Sequence, residues 1–296
     1  MKTIFILLGV SIMSLTISAE VSAEVELNGP EGVAFWSEQN CYYVTDAKEG
    51  LVYRIDKDKR LTVFSDAYKG EILMMPLVLK DKLYVTANLK GNDVLSGHLL
   101  CWSLLDGSLL FSKKIGGING LAGIAADTDG KKIFMLCQQG GLFSYDIASG
   151  TLDTLHAVLA GNGLCYQESD NSLIIVAWGK KMQKFYIDTY KIELLAQTKA
   201  ANYTNIARYK DYFVLSLWNN SIFLVNSQFT ERTAITTMPL RNPVGLCVNE
   251  SANEFIICNY ADGKQGSLQV YNLQKILACY AVADTMLGKS LPGYIR

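Results

Sequence analysis

From about residue 30 onward, short apolar runs and polar turns alternate in a unit that recurs along the chain. Each unit opens on a small or polar residue and a short apolar run. It bends through a polar turn, continues in a stronger apolar run, and ends on a third run near Asp or Asn. The units begin near Pro30, Met75, Leu121, Gly161, Tyr203 and Pro243, about 40–46 residues apart. Their second runs read YYVTD, LYVTA, IFMLC, LIIVAW, FVLSLW and FIICN. Short runs this rich in β-branched and aromatic residues predict strands buried on both faces. The turns SEQN, KD, DTDG, ESDN and ESAN carry the Asn, Asp and Gly that a tight hairpin requires. No unit holds a helical period long enough for a helical solenoid. The pattern predicts an all-β chain, a six-bladed β-propeller of four-stranded antiparallel blades around a central channel. The fourth strand of each blade is the least visible.

A closed ring leaves no exposed edge strand. Two segments are available to close it, Glu24–Leu27 and the tail from Ile276. Lys2, the apolar stretch Thr3–Ile17 and the small residues Ser18-Ala19 and Val21-Ser22-Ala23 precede the first of these. They have the form of a secretory signal peptide over residues 1–23, cleaved after Ala19 or Ala23, and too short to span a membrane. Residues 24–296 are then one propeller domain, expected as a secreted or periplasmic monomer. No later run reaches ~18 apolar residues, so no membrane span is expected in the mature chain.

Half of the 296 residues are apolar, enough for a large core. Lys plus Arg number 27 against 28 Asp plus Glu, with no basic patch, so nucleic acid is not an expected partner. The seven cysteines stand singly inside apolar runs and read as buried thiols; Cys247 and Cys258 are the pair to test for a disulfide. With two histidines, His98 and His156, and no CxxC, no His/Cys zinc cluster is expected.

In a propeller the start of a first strand and the end of a second emerge together around one channel mouth. The first-strand starts are Glu31, Ala122, Asn162, Thr204 or Asn205, and Val244; the second-strand ends are Asp46, Asn88, Gln138, Trp178, Trp218 and Asn259 with Tyr260. Carboxylate and carboxamide oxygens suit a hard divalent cation. Aromatic faces beside amides suit a sugar-like or lactone ring.

PEGVAFWSEQNCYYVTD and GNGLCYQESDNSLIIVAW resemble blades of the senescence marker protein/gluconolactonase-like superfamily of NHL-type propellers, over about Asn28 to Leu273. The resemblance implies one divalent cation (Ca, Mg, Mn or Zn) held by a Glu, an Asn and an Asp at first-strand starts, and no organic cofactor. In such a site the metal polarises a lactone carbonyl and helps generate the attacking water. Glu31 matches the Glu and Asn162 the Asn. At the Asp position the chain reads Thr204-Asn205, without a carboxylate. That loss lowers cation affinity and removes the general base, roughly 10²–10⁴ in rate. Asp46 is the carboxylate left to replace it, and Asn119 corresponds to a substrate-side Asn of the third blade. Two functions follow. One is an exported metal-dependent hydrolase of a lactone or related ester with a degenerate site. The other is a non-catalytic propeller that binds a small polar molecule or a protein at the same mouth. Sequons at Asn202, Asn219 and Asn249 include two at that mouth, where a glycan would obstruct a ligand, so either the host does not glycosylate or that face is not the site; the first, a bacterial host, is the expectation.

Overall fold

The computed structural model describes residues 17–19, 21–91, 95–158, 160–178, 181–197, 202–229, 232–237, 240–261 and 263–273. It is all-β, with six antiparallel four-stranded blades and a single turn of 3-10 helix at Glu168–Asp170. The innermost strands are Pro30–Trp36, Ile72–Leu79, Leu121–Ala126, Gly161–Gln167, Tyr203–Tyr209 and Pro243–Asn249, in blades 1 to 6. Blade 2 therefore begins three residues earlier than the repeat suggests, because its hairpin is longer. Its second and third strands, Lys82–Lys90 and Leu95–Ser103, have nine residues each.

The ring is closed by the N-terminal segment. Val21–Leu27 pairs antiparallel with Gly266–Asn272 as the outermost strand of blade 6, so Glu24–Leu27 occupies the closing position. The tail from Ile276 and Cys279 lie outside the described residues. Ile17–Ala19 runs parallel to the outer strand of blade 5, at Ile235–Thr237.

Turn chemistry sets each inner hairpin. In every blade one residue of the first turn is left-handed: Asn40 (φ 48°), Lys80 (55°), Gly130 (64°), Asn171 (48°), Lys210 (51°) and Asn253 (52°). Asn and Gly tolerate this region best, which is why the turns were legible in blades 1, 3, 4 and 6. Each inner strand also carries an irregularity of register near its start, for example between Pro30 and Gly32 and between Gly161 and Gly163. Bulges bend strands, and here they occur at one level of the ring.

Six apolar clusters fill the six seams between blades. The seam that joins blade 6 to blade 1 packs Val244, Ile256 and Leu268 against Val33, Tyr42 and Val44, together with Leu27 of the closing strand. Buried hydroxyls stitch three other seams. Thr45 donates to the Met74 carbonyl of blade 2. Thr86 donates to the Ala122 carbonyl of blade 3 at 2.5 Å, and Ser216 to the Val244 carbonyl of blade 6 at 2.8 Å. Inner strands meet closely where a glycine removes the side chain. A Cβ on Gly245 would lie 2.4 Å from the Glu31 carbonyl oxygen, and one on Gly32 2.3 Å from Pro76 Cδ.

Among the described residues all six cysteines, Cys41, Cys101, Cys137, Cys165, Cys247 and Cys258, are free thiols. Cys247 faces Ile256 across its ladder, so Cys258 is not its directly opposite partner.

Candidate functional site

The strand register aligns the blades residue by residue. Taking the upper face as the one where inner strands start, its first ring is Glu31, Met74, Ala122, Asn162, Thr204 and Val244. The ring one residue below is Gly32, Met75, Gly123, Gly163, Asn205 and Gly245. At the second-strand ends the equivalent position carries Ala47, Asn88, Gln138, Trp178, Trp218 and Tyr260. Its backbone is fixed by a recurring bond to the residue two before the inner strand's first-ring member. Trp178 N–H donates to Ala160 O (3.1 Å), Trp218 to Asn202 O (3.1 Å) and Tyr260 to Asn242 O (3.2 Å).

Three of these positions form an aromatic arc. The Trp178 and Trp218 rings are 6.0 Å apart at 59°, and Trp218 and Tyr260 are 6.3 Å apart at 40°. All three are half-buried. Lys48 of blade 1 extends the arc, with its Nζ 4.8 Å from the Tyr260 ring centre. The arc thus follows the mouth across blades 4, 5 and 6 and reaches blade 1.

Glu31 stands beside this arc's end. It is 8 % exposed, and its carboxyl accepts no hydrogen bond from any described residue. Burial, and then the Asp46 charge, push its pKa from 4.5 to about 7. Asn259, on the neighbouring blade, has its Oδ1 bonded to Arg241 N–H (3.1 Å), while its buried Nδ2 has no partner. A buried polar group left unpaired is costly, so Asn259 Nδ2 and the Glu31 carboxyl stand out on this side of the mouth as polar groups without a partner among the described residues.

The other sequence candidates are committed to the protein itself. Asp46, fully buried, accepts the N–H groups of Gly29 (2.7 Å), Lys48 (3.0 Å) and Glu49 (3.0 Å). It closes its own turn. Asn88 forms a two-way pair with the Leu121 backbone, at 3.0 and 2.8 Å, and clamps blade 2 to blade 3. Gln138 Nε2 donates to Asn162 Oδ1 at 3.0 Å, so those two come together at the mouth. Thr204 turns into the seam, 2.8 Å from Ser216 Oγ and 2.7 Å from Pro243 O. Asn205 Oδ1 accepts its neighbour's N–H at Ile206 (2.7 Å), and its Nδ2 lies 3.2 Å from Met75 Sδ. Blades 2 and 5 are opposite in a ring of six, so this last contact spans the channel and plugs it. Asn119 is exposed and lines a cavity of about 520 Å³ between blades 2 and 3, with Ser96, Lys114 and Gln139.

These residues do not fit a divalent cation. Among the described residues Glu31 is the mouth carboxylate that accepts no hydrogen bond, since Asp46 spends its oxygens on three N–H groups. Ca²⁺ takes 6–8 oxygens, several of them charged in tight sites. Among the described residues no three of His, Cys, Asp and Glu stand together as a metal group. Repeat alignment misses the Met75 plug and Lys48. Met75 was detectable as the large residue where four other blades carry glycine; Lys48 follows from no pattern.

No protein-family model matches the chain, and no curated protein matches it in sequence. Solved structures share its fold. A streptogramin B lyase matches with TM-score 0.62 at 17% identity, over 85% of this chain and 87% of that one. A catalytically inactive histidine-to-alanine variant of virginiamycin B lyase from Staphylococcus aureus, with quinupristin, matches with TM-score 0.61 at 16% identity, over 85% and 89%. A luciferin-regenerating enzyme matches with TM-score 0.63 at 11% identity, over 83% and 92%. The structural neighbours are six-bladed β-propeller proteins, and several are enzymes. At these identities the likeness shows the fold alone.

Proposed function

We propose that this chain is an exported propeller that binds a small polar ring, a sugar lactone or a similar hydroxylated ring, at the upper mouth. The observation that carries this reading is the arc of Trp178, Trp218 and Tyr260 ending beside the unpaired Glu31 carboxyl and the unpaired Asn259 amide. Aromatic faces supply contact area and shape, and the polar groups fix orientation. The apolar segment after Lys2, ahead of the closing strand, supports export.

Lyase chemistry of the kind named for the neighbours receives less support. One of them is described as inactive once a histidine is replaced, and this chain has two histidines, both away from the mouth. His98, on the third strand of blade 2, sits between Ser96 Oγ (3.0 Å) and Ser112 Oγ (3.1 Å). His156, on the outer strand of blade 3, stacks on Phe185 at 6.0 Å.

One observation favours a second reading, hydrolysis of the bound lactone. A carboxyl titrating near 7 is suited to general-base work at neutral pH. Glu31 would take a proton from water as its oxygen attacks the ring carbonyl. The ring C–O bond would break, and that proton would pass to the departing ring oxygen.

Calorimetric titration with glucono-1,5-lactone and with gluconate, alongside acid release from the lactone, separates the readings. Saturable lactone binding without acid release above the spontaneous rate supports the binding propeller. Acid release lost in Glu31→Gln supports the hydrolase. No heat with either compound refutes both.

A further inference from the structure

The lower half of the channel holds a second cavity, of about 470 Å³, lined by all six inner strands. On the inner strands of blades 2 and 5, just above its lining residues Pro76 and Ala207, the Met75–Asn205 contact bridges the channel. Below this contact, five of six equivalent wall positions are small: Ala34, Ala125, Cys165, Ala207 and Cys247. This widening lies beneath a plug, so the lower mouth is a blind funnel and not a pore. Its volume is in the range of about 300–1,000 Å³ found for small-molecule sites.

The rim holds Phe35, Tyr166 and Val248, and one charged side chain, Arg208. Arg208 donates from Nε to Lys210 O at 3.1 Å, and its terminal nitrogens have no partner among the described residues. The guanidinium stands close enough to Cys165 to favour its thiolate, although burial dominates and pushes that thiol up to about 12. Both wall thiols are thus neutral at physiological pH; burial raises Cys247 as well. Among the residues that line the cavity there is no carboxylate. Nearby Asp127 is turned into its own hairpin, where it accepts the N–H groups of Lys131 (2.7 Å) and Lys132 (3.1 Å).

We propose that the lower mouth is a separate binding site for a compact apolar carboxylate, its hydrocarbon body in the Ala/Cys-walled funnel and its anionic head on Arg208. The chemistry that recognises it is one guanidinium, able to pair with a carboxylate through two N–H groups, above an otherwise uncharged apolar wall. The site is independent of the upper mouth.

The test uses the full chain. 1-Anilinonaphthalene-8-sulfonate is bound, then displaced by decanoate or by its methyl ester. Decanoate is expected to displace at a concentration at least about tenfold below the ester, the preference a charged hydrogen-bond pair supplies. Arg208→Gln, at an exposed strand end, removes that preference while unfolding as wild type does. Ala207→Trp fills the funnel and abolishes displacement by both compounds; should that variant not fold, Arg208→Gln alone decides. Equal displacement by acid and ester overturns the proposal. So does an unchanged preference in Arg208→Gln, or a decanoate affinity that falls in Trp218→Ala instead.

Discussion

Replacing Asp46 by alanine separates a structural carboxylate from a functional one. The side chain is fully buried and accepts three backbone N–H groups, from Gly29, Lys48 and Glu49. The Gly29 bond is buried and 2.7 Å long, so losing its charged acceptor strands a donor, at about 2 kcal/mol. The Lys48 and Glu49 N–H groups are only partly buried and find water instead, at about 0.5 kcal/mol each. The expected loss is about 3 kcal/mol, or ~6–12 °C in melting temperature at 2–4 °C per kcal/mol for a chain near this size. Asp46→Asn keeps one acceptor oxygen and loses about half as much. The assay is urea unfolding followed by circular dichroism at pH 6, where Glu31 is mostly protonated and its repulsion from Asp46 is small. A loss below ~0.5 kcal/mol for Asp46→Ala would refute this account of its bonds. Coupled with lost lactone binding, it would move Asp46 into the site.

The remaining predictions concern the same rings. Glu31 has its folded pKa raised to about 7 from 4.5, so the folded state holds a proton that the unfolded state releases between those values. Stability therefore falls as pH rises through that window; urea midpoints should show Glu31→Gln more stable than wild type by about 1–3 kcal/mol at pH 8 and little different at pH 4.5. Gly245→Ala drives a Cβ to 2.4 Å from the Glu31 carbonyl oxygen, and should cost about 2–4 kcal/mol by calorimetry, because backbone of the next blade has to shift. Burial pushes the thiol of Cys101 to about 11, so iodoacetamide at pH 7 followed by peptide mass analysis should leave it unlabelled until the chain is unfolded.

Most of the ring was legible because its rules are local. Asn40, Asn171 and Asn253 adopt the left-handed turn that their side chains favour, and that punctuates the chain at a fixed spacing. Lys80 and Lys210 take the same conformation without the preference, so the matching turns in blades 2 and 5 were weak or silent in sequence. Blade 2 was misplaced at its start because its hairpin is longer and because Met74 stands where three other blades carry a polar residue and Met75 where four carry a glycine. The candidate mouth was legible as positions and not as roles. Polar residues at strand ends look alike until their partners are known. Asn88 spends its amide on Leu121 and Thr204 its hydroxyl on a seam, whereas Glu31 has no hydrogen-bond partner among the described residues. Those differences arise between blades, some ~40 residues apart, where no local pattern records them. The plug contact is further still in sequence, and only ring closure brings Asn205 to Met75.

The most direct test of the central claim, a ligand site at the upper mouth, is tryptophan fluorescence titrated with glucono-1,5-lactone in wild type, Trp218→Ala and Glu31→Gln. The account predicts a saturable change in wild type, because two of the chain's four tryptophans, Trp178 and Trp218, line the arc. It predicts an affinity reduced at least about tenfold in each variant. A wild-type signal that does not saturate, or one that both variants reproduce unchanged, would contradict it.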